Sequence, residues 1–268
     1  SITKIETWLK DPYALYAYYV LDLKPLDPLE KDGDAALRGQ ILHDALKDFI
    51  TAHPDTLPQN AQQILKDFTQ NALQQNHIPA EDWAFYWPRF EKIMDHFIRH
   101  ETQWRETATP AACEIKGQMT IPAKTGDFIL HGRADRIDRM HGGHTAIIDY
   151  KTGGQFSKTG IESGDLPQLP LESLIAQNGG FDTISAAPCA YLGYWVLNPS
   201  SKNTEYNDPQ DLIAQTQQNL SALIETFEQP DTPYFALPRA QKAPRFNDYE
   251  HLERVAEWAA LDDTQDAA

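Results

Sequence analysis

The first hundred residues carry their apolar side chains at helical intervals. Residues 1–21, SITKIETWLKDPYALYAYYVL, open with Ser1 or Thr3 as a cap and place Ile5, Trp8 and Leu9 on one helical face. Asp11-Pro12 interrupts that helix, because proline cannot continue the backbone ladder, and an aromatic-rich second helix follows. Residues 24–34, KPLDPLEKDGD, read as a loop. A helix over 35–51 has its stripe at Leu42, Ala45, Leu46 and Phe49, and another is expected near 59–75. A third covers about 87–104, where Phe90, Ile93, Met94, Phe97 and Ile98 fall at i, i+3, i+4, i+7 and i+8. Trp83, Trp87 and Trp104 are expected to pack in this helical layer.

The period then changes. CEIKGQMTIPA (113–123), DFILHGRADRIDRM (127–140) and HTAIIDYKTG (144–153) read as strands, separated by Lys-Thr-Gly-Asp and His-Gly-Gly turns. A short helix at about 168–177 is stopped by Gly179-Gly180. CAYLGYWVLN (189–198) reads as a buried strand, 209–228 as an amphipathic helix, 232–248 as an extended basic arm and 249–260 as a last helix. There are no internal repeats. The pattern predicts one α/β domain: a helical part over about 1–110, a sheet core over about 111–200, and C-terminal helices and arm over about 205–260. Ser1 in place of methionine marks processing or a piece of a longer chain.

Composition narrows the function. With 41% hydrophobic residues in 268, a packed core is expected. The two cysteines, Cys113 and Cys189, are too few for a disulfide framework; they read as buried small hydrophobes and suit a reducing cytoplasm. No apolar run approaches the length of a membrane span and no signal peptide opens the sequence, so no membrane association is expected. The net charge of −16 argues against gripping nucleic acid by bulk electrostatics. A nucleic-acid function would need a local basic track or other domains to hold the polymer.

The chemistry is concentrated in four places. In IIDYKTG (147–153), Asp149 and Lys151 are two apart on a strand and project from the face opposite Tyr150. A plain ion pair explains the pair alone. A metal-binding carboxylate beside a water-orienting ammonium explains it together with the other three places. RGQILHDAL puts His43 at the edge of a helical stripe, with Gly39 one turn earlier leaving room for a close approach. HGRADRID puts Asp135 and Asp138 on a neighbouring strand, three apart and so on opposite faces. PQLPLESL starts a helix at Gln168 with Glu172 one turn on. Mg2+ takes oxygen ligands and keeps several waters, so two carboxylates and a carbonyl suffice to hold it. Glu114, on the adjacent strand, could also reach this site. Asp138 is expected to pair with Arg136 or Arg139 in a solvated ion pair near the HGGH turn. His96 and His100 lie off the apolar stripe beside Glu101 and read as a solvated face.

The order Gly-x-x-x-His, Gly-x-x-Asp-Arg-x-Asp, Asp-Tyr-Lys-Thr-Gly and Gln-Leu-Pro-Leu resembles the RecB-like branch of the PD-(D/E)xK nucleases. The opening and PQLPLESLIAQNGGF are most similar to the C-terminal nuclease domains of AddB subunits of AddAB helicase–nucleases, in their alphaproteobacterial form. The likeness runs from residue 1 to about 258. It implies a restriction-endonuclease-like mixed sheet flanked by helices, with an N-terminal helical extension. It also implies a Mg2+-dependent DNA exonuclease acting in double-strand-break repair, with Mn2+ as a substitute. The implied partners are single-stranded DNA and an AddA-like helicase–nuclease subunit. Carried over by motif, His43, Asp135 and Asp149 bind metal with the Tyr150 carbonyl, Lys151 is the catalytic lysine and Gln168 organises the site. Lys158, Arg239, Lys242 and Arg245 are candidates for contacting DNA.

The sequence departs from that pattern twice. Glu172 stands where many relatives have a tyrosine. Asp11 stands where many have the first cysteine of an iron–sulfur cluster, and no cysteine follows Cys189. No cluster is therefore expected, and packing would have to join the two ends of the domain. Two alternatives compete with the nuclease reading: a nuclease fold that has lost catalysis and serves as a structural or DNA-channel wall, and a stand-alone Cas4-like exonuclease.

Overall fold

The computed structural model describes residues 1–26, 33–78, 80–154, 156–237, 247–255 and 257. Five strands form one mixed sheet: β1 (Ala108–Ile121), β2 (Phe128–Met140), β3 (Thr145–Lys151), β4 (Cys189–Val196) and β5 (Thr204–Asn207), in the order β1-β2-β3-β4-β5. β1–β2, β2–β3 and β4–β5 pair antiparallel and β3–β4 pair parallel. The parallel pair requires a crossover. It is made through α6 (Lys158–Glu162) and α7 (Gln168–Gln177).

Helices cover both faces. On one lie α3 (Gly33–Ala52), α4 (Ala61–Gln75) and α5 (Ala80–Trp104), whose Leu42, Phe49, Leu65, Met94 and Phe97 pack against Ile148, Tyr150 and Trp195 of the sheet. On the other lie α1 (Ile2–Lys10), α7 and α8 (Gln210–Phe227), with Ile5, Leu171, Ile175 and Ile213 packed against Ile137, Ile147 and Leu192. β3 is buried through Tyr150, with layers on both sides. That is why its sequence is a continuous apolar run rather than an alternation. Strand alternation still assigns faces: Ala146, Ile148 and Tyr150 turn to the α3–α5 layer, Ile147 to the α7 layer.

Most elements fall where the periodicity put them, and α7 matches residue for residue. It ends at Gly179, whose φ of 67° only glycine adopts readily, with Gly180 N–H donating to Ile175 O at 2.9 Å. β1 begins five residues ahead of the expected start at 113, because Pro110 and the Ala-Ala pair carry no strand signal and the register shifts there. β5 was not anticipated; TEYN is too short and polar to announce itself. The last helix was expected over 249–260; α9 spans Glu250–Glu253 and is interrupted at Arg254, φ 52°, Val255 and Glu257 are again helical, and 256 and 258–260 lie outside the described residues. Of the basic arm, residues 238–246, including Arg239, Lys242 and Arg245, lie outside the described residues.

Hydrogen bonds, not packing alone, join the two ends. Asp11 is buried, and its carboxylate caps α2 (Pro12–Tyr19) through Ala14 N–H. Asn247 Nδ2 donates to Asp11 Oδ2 at 3.3 Å and to Glu253 Oε2 at 2.7 Å, and Tyr249 Oη donates to Leu23 O at 2.7 Å. Burial and the neighbouring Asp11 push the Glu253 carboxyl up to about 7.

Candidate active site

The site lies where β2 and β3 part. Their ladder runs from Arg139↔Thr145 to Arg136↔Ile148 and stops. The next bond is made by a side chain: the Tyr150 N–H donates to Asp135 Oδ2 at 2.9 Å. The strands are thereby held together while a carboxylate occupies the opening. His43 of α3 enters from one side, its Nδ1 3.5 Å from Asp135 Oδ2 and 3.9 Å from Glu114 Oε1. A Cβ on Gly39, one turn before, would come 3.2 Å from Thr152 Oγ1, so the glycine lets α3 settle against the chain just past Lys151.

From the other side comes the start of α7. Gln168 Nε2 donates to Asp149 Oδ1 at 2.6 Å and to Glu172 Oε1 at 3.1 Å. Lys151 Nζ donates to Gln168 Oε1 at 3.2 Å and sits 2.8 Å from Asp149 Oδ2. The glutamine amide is thus oriented at both ends, oxygen to the lysine and nitrogen to the acids. Glu172 is buried, and its Oε2 has no hydrogen-bond partner among the described residues.

Electrostatics set this cluster apart. Burial first, then the charge of Asp149, pushes Asp135 up to about 7. Burial likewise raises Asp149, partly offset by Lys151, and raises Glu172 well above the usual carboxylate range. Burial works against a charged His43, but Glu114, Asp135 and Asp149 outweigh it and hold the imidazole above its ordinary value. Carboxylates crowded in a poorly solvated place, with one lysine among them, form a site that a divalent cation would relieve. The donors fit such an ion: one atom each from His43, Glu114 and Asp135 lie within 4.8 Å of one another.

A family model for the PD-(D/E)XK nuclease superfamily matches residues 1–238. The chain belongs to this superfamily. A Rickettsia bellii protein described as uncharacterized is 26% identical over 268 aligned residues, covering 94% of this chain and 32% of its own length. A Rickettsia felis protein, also described as uncharacterized, is 31% identical over 189 residues, covering 68% of this chain and 22% of its own. The chain thus spans a third or less of these relatives. The crystal structure of SSO0001 aligns over 73% of this chain and 90% of its own, with 15% identity and a TM-score of 0.28.

In this PD-(D/E)XK chain the structure brings together His43, Asp135, Asp149, Lys151 and Gln168. Tyr150 lies between the paired residues, with its ring in the opposite layer. Asp149 and Lys151 share a face, as the strand period required. Within the described residues, however, the carboxylate grouped with His43 and Asp135 is Glu114, not Asp149. Glu114 is on β1 with φ 51°, a left-handed conformation rare outside glycine. Such backbone irregularities re-aim a side chain and cluster at functional sites. The sequence made Glu114 a candidate by strand adjacency; nothing in it signals the twist. Lys158 is exposed at the start of α6, its Nζ 5.9 Å from the Tyr206 ring on β5. It lies toward the opposite edge of the sheet from β1.

Two expectations need correction, those for Asp138 and His100. Asp138 pairs with Arg136, but the pair is not solvated: both are fully buried. Arg136 donates to Asp138 through Nε and Nη2, each at 2.7 Å, to Glu101 through Nη1 at 2.6 Å and Nη2 at 3.0 Å, and to Tyr150 Oη at 3.0 Å. Glu101 is therefore an interior anion rather than part of a solvated face. His100 also leaves that face: its ring lies 4.2 Å from that of Trp195, and its Nε2 is 3.2 Å from Asn203 Nδ2. The helical period placed these residues off the main stripe. Here a second, charged seam is buried between α5 and the sheet.

Proposed function

We propose that this chain is a Mg2+-dependent deoxyribonuclease module that cuts single-stranded DNA within a double-strand-break-processing helicase–nuclease complex. The observation that carries the reading is the Lys151–Gln168–Asp149 arrangement set beside His43, Glu114 and Asp135. Hydrolysis of a phosphodiester bonds a water oxygen to phosphorus while the bond to the leaving sugar oxygen breaks. Lys151 has three protons. One is directed at Gln168 and one toward Asp149, which leaves the third for the attacking water or a non-bridging phosphate oxygen. Gln168 holds the ammonium in place through its own bonds to Asp149 and Glu172. His43, Asp135 and Asp149, with the Tyr150 carbonyl and with Glu114 by its position, would hold Mg2+, or Mn2+ in its place. The ion would supply charge neutralisation and a more acidic bound water.

The wider assignment, an AddB-like subunit beside an AddA-like motor, rests on the likeness of the chain's opening and of PQLPLESLIAQNGGF. The acidic balance supports it, since a motor subunit would hold the DNA. The test is Mg2+-dependent cleavage of a single-stranded oligonucleotide by wild type and Lys151→Ala. Wild type should cut, and the variant should lose roughly 10²–10³ in rate. Equal rates in the two proteins would refute the assignment of the lysine.

A further inference from the structure

The nuclease reading leaves open how a strand reaches the site, because the chain carries a net charge of −16. One surface stands out against that charge. On the β1–β2 ribbon, Lys116 pairs opposite Arg133 and Gln118 opposite His131. Opposite residues, and residues two apart, share a face. These four form two successive rungs on one face, and all four are exposed. The next position toward the site on β1 is Glu114, whose Oε2 lies 2.6 Å from Arg133 Nε.

Two clefts adjoin along this row. One, of about 810 Å³, is lined by Glu114, Lys116 and Arg133; the other, of about 620 Å³, by Lys116, Gln118, His131 and Arg133. Lys116, Arg133 and Asp182 line both, so the two clefts meet at these residues; the groove they make begins beside the His43–Glu114–Asp135 group, flanked there by Ile50 and Thr51 of α3, and is flanked farther on by Ser1 and Thr3 at the start of α1. Asp182 is the opposing charge in it. Glu114 is already engaged with Arg133 and His43.

We propose that this groove is the track for the sugar–phosphate backbone of the substrate strand, with Lys116, Gln118, His131 and Arg133 donating to successive phosphates. The inference rests on the nuclease reading and adds the path to it. Each of the four can donate a hydrogen bond to a phosphate oxygen. Same-face positions recur about every 7 Å along a strand, so the two rungs of donors follow one another and lead to the site. Among the described residues no Phe, Tyr or Trp lines either cleft, and the one aromatic ring there, that of His131, gives successive bases no platform to stack on. The contact is therefore to the backbone and independent of sequence. Lys158, near β5, is the rival path.

The test uses the full chain and a fluorescein-labelled oligo-dT, with binding read by anisotropy over a range of NaCl concentrations in EDTA. Lys116→Ala should lower the slope of log Kobs against log salt by about 0.7, the loss of one phosphate contact on a single strand, and Lys116→Arg should restore it. Lys116→Ala with His131→Ala should weaken binding by roughly tenfold or more, with a circular dichroism spectrum like that of wild type. Unchanged affinity and slope in the double variant would overturn the track. So would a loss seen only in Lys158→Ala. Hydrolysis of bis(p-nitrophenyl) phosphate by wild type with Mg2+ tests the nuclease reading separately. If that fails, the binding data still decide the groove.

Discussion

Replacing Arg136 should be among the most damaging single changes available in this chain. Its guanidinium is wholly buried and makes five hydrogen bonds, two each to Asp138 and Glu101 and one to Tyr150 Oη. Arg136→Met has similar volume but leaves buried Asp138 without its cation and Glu101 with Arg105 alone, which costs about 3–5 kcal/mol. A domain of this size typically has 5–15 kcal/mol in all. At roughly 2–4 °C per kcal/mol, the melting temperature should fall by about 6–20 °C. The pH dependence has a definite sign. Burial alone would raise Glu101, but Arg136 and Arg105 more than offset it and hold the carboxyl below its ordinary value. A depressed acid contributes stability above its unfolded pKa, near 4.3, and loses it as pH falls through the folded value. The gap between wild type and Arg136→Met should therefore narrow toward about pH 4, where Glu101 in the variant can protonate. Urea unfolding in metal-free buffer, followed by circular dichroism, measures both effects. Glu101→Gln should cost less in the Arg136→Met background than in wild type, because the anion it removes then has only Arg105 to pair with. A cost below about 1 kcal/mol for Arg136→Met, or equal costs for Glu101→Gln in both backgrounds, would refute the description of this network.

Three further outcomes follow from the site. Asp135→Asn should lose Mg2+ binding by calorimetry yet unfold near the wild-type urea midpoint, whereas Asp138→Asn should keep Mg2+ and lose several kcal/mol of stability; the reverse pattern would exchange their roles. Asp135 sits up at about 7, so its contribution to stability is present at low pH and lost as pH rises through that value; added Mg2+ should raise the melting temperature more at about pH 8 than at about pH 6, and a pH-independent rise would contradict this. Glu172 is raised above its ordinary range by burial, so Glu172→Gln should be more stable than wild type at high pH, with the advantage vanishing below about pH 4, and a constant difference in urea midpoints across pH would count against a neutral Glu172.

The parts of the site legible in the sequence depend on local periods. Asp149 and Lys151 share a face because a strand repeats every two residues. Gln168 could be placed at a helix start because Gly179-Gly180 fixes where that helix ends. Glu114, Glu101 and Asp138 were harder for one shared reason: their settings are made by other elements. Glu114 reaches His43 through a left-handed backbone turn inside β1. Glu101 and Asp138 are anions that become interior only because Arg136, 35 residues from one and two from the other, meets both between α5 and the sheet. Sequence pattern assigns charged residues to solvent by default, and the default fails where charges close on one another.

The same reasoning applies to Asp11. In the resembling family a cysteine at this position helps a metal cluster hold the ends of the domain together, and without it packing was expected to suffice. The structure instead uses Asp11 as a hub. One carboxylate oxygen caps α2, and the other accepts from Asn247, which also holds Glu253. A carboxylate at this position makes a tie of a different kind from a thiolate's. A cluster joins chain ends by bonds that persist until it is oxidised or removed, whereas this tie runs through Asn247, which donates to both acids. Burial and the neighbouring Asp11 push Glu253 up to about 7. When it ionises beside Asp11, two like charges face each other across the junction, and Asn247 has donors but no charge with which to hold them. The tie between α2 and the C-terminal segment should therefore loosen as pH rises through about 7, and amide hydrogen exchange around Asp11 and Asn247, corrected for the intrinsic pH dependence, that shows equal protection at about pH 6 and pH 8 would refute this.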